Sequence, residues 1–308
     1  MHPGYYDWLF HSTMFSDEFY KWGHGIVDDL WTTNWQDMKK IYVPIPHDIN
    51  QSRIATYLDE KCATIDALID QTHASIEEYK KLKQAVITRA VTKGIRPGRK
   101  MKDSGVDWIS VIPSDWRMER GKGIFREVNT RSEDGTEELL TVSQYTGITP
   151  RSQKDVTMFE AETLEGYKIC EIGDIAANTM WLWAGAIGVS QYRGVISPSY
   201  NTYRQKKNAY NSLYLDYLLR TSPLVQHYES LSTGIRASRL RLYPQQFLNI
   251  QYPVPPLEEQ QEIVDYLKVK AIGIDKLIEK KGKFITELES YKKSLIFEYV
   301  TGKKEVPA

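Results

Sequence analysis

The residues of this chain that are best suited to chemistry lie in one short arginine-rich loop. The loop begins at Thr233 and contains Arg236, Ser238, Arg239 and Arg241, just after a glycine. Guanidinium groups donate paired hydrogen bonds to phosphate oxygens and to the edge of guanine, and glycine lets the backbone approach a phosphate closely. This combination predicts contact with a nucleic acid. The competing interpretation is a solvated basic turn held by structural ion pairs.

Two further groups of residues have side chains that can hold phosphates or contact base edges. The larger group interleaves aromatic rings, amides and hydroxyls with cations: Asn178, Trp181, Trp183, Arg193, Ser199, Asn201 and Arg204. The smaller group is Ser143 and Tyr145, at the predicted tip of the loop that follows the apolar residues 139–142. For the two tryptophans, burial in a core is favoured over stacking on a base.

The motifs of enzymatic catalysis are missing from the sequence. It contains neither N-P-P-Y nor D-P-P-Y, which serve adenine methylation, and no G-x-x-x-x-G-K-[ST], H-E-x-x-H or G-x-S-x-G. The six histidines are scattered rather than clustered as metal ligands or catalytic partners. Carboxylate pairs such as Glu77-Glu78 and Glu258-Glu259 are typical of helix capping and solvated helix faces. We therefore predict that the chain is not an enzyme and binds no metal.

Composition limits the remaining classes of protein. The 308 residues are enough for two domains, and Lys+Arg 40 against Asp+Glu 40 leaves no net charge that would argue for a polyanionic partner. The two cysteines, Cys62 and Cys170, lie far apart and lack the spacing of a zinc site. We expect a cytoplasmic protein, because the sequence has neither a secretion signal nor an apolar run that could span a membrane.

The elements that must position these residues are organised by an internal repeat. An ungapped shift of 209 residues matches Tyr5 with Tyr214 and aligns residues 1–94 with residues 210–303. Other matches under the same shift are Pro44 with Pro253, Gln51 with Gln260, Ile54 with Ile263, and Val91 with Val300. The chain therefore contains two copies of one unit.

The two copies differ at the arginine-rich loop. The shift places V-D-D-L at residues 27–30 opposite R-A-S-R at residues 236–239. The first copy therefore lacks the basic set. This difference predicts a structural, docked role for residues 1–46 and nucleic-acid contact for the second copy.

Each copy contains a long heptad pattern. Apolar positions recur at alternating spacings of four and three from Leu58 to Val86, and the shift carries the pattern to the segment from Leu267 to Leu295. Such a pattern is typical of a coiled coil. We predict two helices, each roughly 60 Å long at about 1.5 Å per residue. The alternative is a long helix that crosses a globular core. Polar residues stand at matching positions in the two seams: Thr72 and Lys281, and Lys83 and Lys292.

The remaining segments have mixed patterns. Residues 1–46 predict a helix around residues 5–20 and a strand at residues 40–45, a piece too small to hold its own core. Residues 117–256 are rich in strands and aromatic residues and predict one α+β domain. Between them lies a basic linker that either contacts a phosphate backbone or is simply solvated: Arg96, Arg99, Lys100 and Lys102.

Two sequence strings, read together, carry a resemblance to a known family. They are D-S-G-V-D-W-I-S-V-I-P-S-D-W at residues 103–116 and P-L-E-E-Q-Q-E-I-V-D-Y-L at residues 256–267. Both resemble the specificity (S) subunit of Type I restriction–modification systems, as do residues 178–190 and 233–242. The order of segments, in which recognition-domain sequence alternates with long helices, is also that of the family. The resemblance covers essentially the whole chain.

The resemblance implies an α+β fold, in which a globular target-recognition domain accompanies two long helices that form an antiparallel coiled coil. It assigns residues 1–46 to the C-terminal remnant of a first recognition domain and residues 47–94 to the first spacer helix. Residues 95–256 become the basic linker and the complete recognition domain. Residues 257–303 become the second spacer helix, and residues 304–308 a tail.

The resemblance also implies a function without intrinsic catalysis. A specificity subunit reads a split target in double-stranded DNA, methyltransferase (M) subunits grip its scaffold, and restriction (R) subunits can join them. The methyltransferase is expected to use S-adenosylmethionine for DNA methylation and the restriction subunit to use ATP and Mg, so that this chain itself needs no cofactor. The helix faces that are candidates for methyltransferase docking carry charged residues: Glu77, Glu78, Lys80, Lys81, Glu279, Lys280 and Lys283.

The chain departs from the family pattern because its first recognition domain is almost absent. This departure indicates a shortened specificity subunit or a fragment made from an internal start. Two copies are then expected to self-associate, so that two identical half-size readers meet a palindromic split site. Three alternatives stay open: the missing portion comes from another chain, the protein is a decoy that binds methyltransferase subunits without productive DNA reading, or it is a coiled-coil adaptor with no DNA role.

Overall fold

The chain divides into two units that share the two long helices. Unit 1 consists of Met1–Lys80 and Ile274–Ala308, and unit 2 consists of Lys81–Gly273. The computed structural model describes residues 1–25, 32–154, 162–234 and 240–307. None of the helices in these ranges has the length and apolar content needed to cross a bilayer. The same ranges bring together no group of acidic, histidine or cysteine side chains fit to hold a metal ion.

The described residues form short strands and both short and long helices. The helices are α1 (Pro3–Phe10), α2 (Thr13–Lys21), α3 (Trp35–Met38), α4 (Asp48–Lys93), α5 (Gly121–Ile124), α6 (Ser212–Leu219), α7 (Ser222–Leu231), α8 (Pro244–Asn249) and α9 (Leu257–Val300). The strands are β1 (Met101–Val106), β2 (Ile109–Pro113), β3 (Arg117–Arg120), β4 (Phe125–Val128), β5 (Leu140–Ser143), β6 (Gly147–Pro150), β7 (Lys168–Cys170), β8 (Ile175–Ala177), β9 (Ile187–Val189), β10 (Gly194–Ile196), β11 (Asn201–Gln205) and β12 (Gln251–Val254). The mixture confirms the predicted α+β class.

The long helices α4 and α9 confirm the heptad prediction. In unit 1 their seam residues are buried, as Leu58 is fully enclosed and Leu295 is nearly so. The ring of Tyr57 lies 4.6 Å from that of Tyr299, and Lys292 Nζ lies 2.6 Å from an oxygen of Asp66. Residue numbers rise along one helix as they fall along the other, so the helices run antiparallel. Burial of such apolar seams supplies most of the stability of long helices in water.

The polar seam positions have local partners. The Thr72 hydroxyl donates to the Leu68 carbonyl 2.7 Å away in its own helix. The ammonium of Lys281 lies over the ring of Tyr79, 5.8 Å from its centroid. These contacts reduce the cost of placing a polar group in an apolar seam.

Unit 2 is built around antiparallel strands covered by helices. Its largest sheet has the strand order β4-β11-β8-β9, and β12 pairs separately with β3. The core beside the sheet is aromatic, with Phe125, Tyr203, Phe247 and Tyr252 fully buried. The rings of Tyr203 and Phe247 stack with centroids 4.5 Å apart. Rings of this size dominate core energetics, which explains how short strands make a stable domain.

The repeat reappears in the structure as matched hydrogen bonds. Tyr5 of the first copy donates its hydroxyl to the Val300 carbonyl at 2.9 Å. Tyr214 of the second copy donates to the Val91 carbonyl at 2.7 Å. Since the shift of 209 residues relates Tyr5 to Tyr214 and Val91 to Val300, each unit joins the helical front of one copy to the helix end of the other.

A second pair of matched bonds lies at the start of the long helices. Gln51 accepts a hydrogen bond from the His2 amide, and Gln260 accepts one from the Asn211 amide, each at 2.8 Å. Both glutamines are buried, and each also donates to the carbonyl of a nearby proline. A buried amide with all of these partners fixes the approach of the chain to the helix.

Two predictions for the N-terminal piece need correction. The predicted helix at residues 5–20 is two helices, because Ser12 ends the first and its hydroxyl caps the second by accepting from the Phe15 amide at 3.3 Å. The predicted strand at residues 40–45 is wrong, since residues 41–47 have no regular structure. The matching segment β12 is a strand only because β3 pairs with it. Among the described residues, nothing pairs in that way with residues 41–45.

Candidate nucleic-acid interface

The strand register of unit 2 separates the larger group of predicted DNA-binding residues into two ends. In the central sheet, Asn201 pairs with Ala177, and Tyr203 pairs with Ile175. Residues just after Ala177 therefore share one end of the sheet with residues just before Asn201. Residues just before Ile175 share the opposite end with those just after Tyr203.

The first end, which we call the tryptophan end, consists of residues 178–183 and 197–201. Asn178 donates to the Tyr200 hydroxyl at 2.9 Å and accepts from the Met180 amide at 3.1 Å. Thr179 donates to the carbonyl of Ser199 at 2.7 Å. These bonds tie the two loops together, so that the tryptophan end has a fixed shape.

The exposed parts of the tryptophan end are aromatic and hydroxylic. Trp181 is 51% exposed and stacks on Trp183 with ring centroids 5.7 Å apart. The expectation that both tryptophans lie in a core is therefore wrong for Trp181; Leu182, between them, is the buried anchor. Ser199 is exposed, whereas the side chains of Asn178 and Asn201 are buried and structural.

A tight turn holds the tryptophans against helix α7. Residues Leu182–Ala184 form a 3-10 helix that packs on α7 and ends at Gly185, whose φ is 87°. A side chain at Gly185 would be strained by that backbone conformation and would meet Val225 of α7 at 3.1 Å. The glycine therefore lets the loop lie directly on the helix.

Lys168 is a buried cation beneath the tryptophan end that the sequence analysis did not single out. Its ammonium donates to the Tyr200 carbonyl at 2.6 Å. Burial lowers the pKa of Lys168, and burial likewise raises the pKa of the Tyr200 hydroxyl. Lysine is rarely buried without a purpose, and its place between two apolar strand residues was the signal that could have found it.

The opposite end of the sheet holds the two predicted arginines in ion pairs. Arg204 makes a two-pronged contact with Asp174, at 2.6 and 2.7 Å, and Arg193 lies 3.3 Å from an oxygen of Glu171. The hydrogen bond with Asp174 raises the pKa of Arg204. Because Asp174 is buried, this arrangement fits a structural role for Arg204 better than a base contact.

The loop tip predicted at Ser143 and Tyr145 is present between β5 and β6. Tyr145 is 82% exposed, and the Ser143 hydroxyl accepts from the Tyr145 amide at 3.2 Å. Arg220 donates to the Tyr145 carbonyl at 2.7 Å and lies 3.6 Å from Asp216. Arg220 was missed in the sequence, although its spacing of four residues from Asp216 was a signal of a helical ion pair.

The base of the arginine-rich loop is closed by a backbone bridge. Thr233 and Arg241 exchange two N–H···O bonds of 2.9 Å each. Arg236, Ser238 and Arg239 lie outside the described residues. The first copy has the same bridge at the positions matched by the shift, between His24 and Thr32, with bonds of 2.8 and 3.0 Å.

The basic linker is neutralised by acidic residues of helix α9 and of the loop before β3. Arg96 donates two hydrogen bonds to Glu262, at 2.9 and 3.0 Å. Arg99 contacts Glu259 closely and Asp115 at 2.7 Å. Glu259 is 2% exposed and also accepts from the Trp116 indole at 3.0 Å. The prediction that Glu259 caps or solvates a helix start is therefore wrong, because two buried donors converge on it.

Comparison with known proteins agrees with this architecture. A family model described as Type I restriction modification DNA specificity domain matches residues 113–287. Two relatives from Methanocaldococcus jannaschii are similar to the chain: the Type I restriction enzyme MjaVIII specificity subunit, 26% identical over 87% of this chain, and the putative type I restriction enzyme MjaX specificity subunit, 25% identical over 89%. The chain spans only 63% and 61% of the lengths of these relatives.

Solved structures share the fold. One, from a study of complex assembly and conformational transition of the type I R-M system, aligns over 97% of this chain and 70% of its own, with a TM-score of 0.71 at 14% identity. The HsdS subunit from Thermoanaerobacter tengcongensis aligns over 99% of this chain and 71% of its own, with a TM-score of 0.55 at 16% identity. Since the family model covers more than half of the residues, the chain belongs to the Type I restriction–modification DNA specificity family.

Proposed function

We propose that this chain is the non-catalytic specificity subunit of a Type I methyltransferase complex, which it directs to a DNA sequence. The observation that carries the proposal is one complete reading module, β1 to β12 with its helices, attached to two antiparallel long helices. The family model spans both parts of this arrangement. DNA contact would be made by unit 2, and partner contact by the helices.

The proposed DNA surface gathers three loops around helix α7. Arg220 and the loop tip at Tyr145 lie just before α7 begins, and the 3-10 helix of the tryptophan end packs on its side. The chain leaves α7 toward Thr233 at the base of the arginine-rich loop. Exposed rings, hydroxyls and arginines around one helix offer both stacking and phosphate contact.

For methyltransferase docking, an apolar stripe on helix α9 is a better candidate than the charged faces predicted from sequence. Leu277, Phe284 and Tyr291 recur every seven residues and are 42, 44 and 56% exposed. Lys80 and Lys283 instead form ion pairs within their own helices at 2.8 and 2.7 Å, as solvated faces do. A heptad stripe outside the seam suits the packing of a partner helix.

The assembly we propose has two copies of the chain, so that two half-size readers meet a split, palindromic target; restriction subunits would join the same scaffold. Support comes from the chain itself, which carries one complete reader and a second, partial one. The alternative is a decoy that binds methyltransferase subunits without productive DNA reading, and the buried Glu259–Arg99 pair, which removes one linker cation from solvent, favours neither.

The first experiment is the mass of the complex with the cognate methyltransferase subunit, measured by light scattering. Two copies of this chain in the complex would support paired readers, and one copy would contradict them. Failure to associate at all would contradict the specificity-subunit proposal. The variants Tyr291→Glu and Lys283→Glu compare the stripe with the charged face, and only the first should weaken association.

DNA reading is tested with the assembled complex and its target at several salt concentrations. We expect Trp181→Ala to weaken binding about tenfold through lost stacking, with no change in the salt dependence, because tryptophan carries no charge. The control Trp35→Ala removes a ring that is 70% exposed in unit 1 and should leave binding unchanged. Equal effects of the two variants would contradict the proposed DNA surface.

A further inference from the structure

One apolar face of unit 1 lacks the cover that its counterpart in unit 2 has. Phe10 on α1 is 44% exposed, Ile45 is 70% exposed, and Tyr42 is 97% exposed. We call the surface formed by Phe10, Tyr42 and Ile45 the open face. Three large apolar side chains so close to one another in sequence are an unusual surface for a chain in water.

The matching face of unit 2 is buried. The shift of 209 residues relates Phe10 to Leu219 and Ile45 to Val254, and these two residues are 0% and 5% exposed. Both belong to a core cluster that also contains Ile187 of strand β9. The same positions are therefore core in one copy and surface in the other.

The repeat identifies what covers the face in unit 2. Strand β3 pairs with β12 in the register Val254 to Arg117, and the Val189 amide of β9 donates to Asp216 of α6 at 2.9 Å. Both covering strands lie in the β-module of residues 101–209. Unit 1 contains no segment that corresponds to this module, because the shift places residue 1 opposite residue 210.

A buried polar atom beside the open face also lacks its partner. The ring of Tyr6 contacts that of Phe10, with centroids 5.9 Å apart. The Tyr6 hydroxyl is buried and has no hydrogen-bond partner among the described residues. An unpaired buried hydroxyl costs free energy, and a covering strand could supply the missing group.

We propose that the open face docks a β-module of recognition-domain fold that belongs to a different polypeptide. The proposal rests on the proposed function, since it completes a second reader on the same scaffold. The edge offered by residues 42–45 matches that of β12 in detail, because Pro44 and Pro253 both lack a donor at the same place. An incoming strand can therefore pair there as β3 pairs with β12, by strand addition.

A second copy of this chain does not meet the need. Its own β-module already covers the face that contains Leu219 and Val254. If that module moved to the open face of a neighbour, the face it left would become exposed, so an exchange between copies leaves the number of open faces unchanged. The occupant must be a polypeptide whose β-module has no complete face of its own.

The test is photo-crosslinking of the full chain in the cells that make it. The variant Tyr42→p-benzoylphenylalanine places the probe on the open face, and mass spectrometry identifies what it captures. We expect a polypeptide with a β-module of specificity-subunit type. Capture of this same chain, capture of the methyltransferase alone, or no capture would overturn the proposal.

Two matched variants separate docking from misfolding and from loss of the proposed function. Ile45→Glu should abolish the crosslink, whereas Ile49→Glu should not, because Ile49 is similarly exposed at 68% but matches the solvent-facing Glu258. A crosslink that survives Ile45→Glu would also overturn the proposal. A probe at Tyr291 reports methyltransferase binding independently, so its capture without capture at Tyr42 would leave the proposed function intact.

Discussion

The two copies of the repeat keep the same joints and differ in their cover. Tyr5 and Tyr214 make the same hydroxyl-to-carbonyl bond to the end of a long helix, and helices α1 and α6 occupy matching positions along the sequence. Yet Leu219 of α6 is fully buried while Phe10 of α1 is 44% exposed. The scaffold is thus present twice and the β-module once.

This difference shows which interactions depend on the β-module. The tyrosine and glutamine bonds are complete in both copies, so the helical front and the long helices suffice to form them. Burial of the outer side of the helical front, in contrast, requires residues 101–209 of the same repeat unit. Substitutions at matched positions should therefore differ between copies only where the β-module contributes.

The largest difference is expected at the covered position of the helical front. Leu219→Ala removes a fully buried side chain and should cost about 2–5 kcal/mol of the free energy of unfolding of unit 2. The matched change Phe10→Ala should cost unit 1 about 1 kcal/mol or less, because the ring is already partly in water. Hydrogen exchange resolves the two units separately, and comparable losses in both would contradict the assignment of Phe10 to an open face.

A smaller difference is expected at the start of the long helices. Glu259→Ala leaves the guanidinium of Arg99, whose side chain is 13% exposed, with only Asp115 as a partner, and should destabilise unit 2 by about 3 kcal/mol. The matched residue Asn50 is exposed, so Asn50→Ala should change unit 1 by about 0.5 kcal/mol or less. Urea unfolding of the two variants checks the difference.

The control for this charge effect is Glu259→Gln, which keeps the shape and an acceptor for the Trp116 indole. It should recover only part of the loss, since the buried guanidinium would still lack its full charge partner. Full recovery would show that packing, rather than charge, accounts for the role of Glu259.

Local periodicity predicted the scaffold, and long-range partners decided the rest. The heptads placed α4 and α9 within a few residues, because a helix seam is written in its own sequence. The strand predicted at residues 40–45 failed because a strand needs a neighbour, and β3 serves only the second copy. The same pattern gave opposite structures at two places in one chain.

Partners also limited the prediction of the candidate site. Arg204 looked like a base reader until Asp174, 30 positions earlier in the chain, was found beside it. Trp181 looked like a core residue, yet half of it is exposed because Leu182 takes the buried place in the 3-10 helix. Neither outcome could be derived from spacing, since both depend on which loops meet at one end of a sheet.

The smallest effects are expected where the two copies agree. Tyr5→Phe and Tyr214→Phe each remove a hydroxyl that satisfies the carbonyl at the end of a long helix. Each should cost its own unit about 1–2 kcal/mol, because the carbonyl is left without that donor inside the protein. Burial raises the pKa of Tyr5 to about 12 and that of Tyr214 well above its ordinary value, so both hydroxyls stay protonated donors at neutral pH.

The comparison of these two variants decides whether the β-module strengthens the joint as well as covering it. Equal losses of protection at the ends of the two long helices, measured by hydrogen exchange, would mean that the joint is independent of the module. A loss for Tyr214→Phe that clearly exceeds that for Tyr5→Phe would mean that the module tightens the joint. In that case, occupation of the open face should stabilise the Tyr5 joint as well, and the two copies would become alike only in the complex.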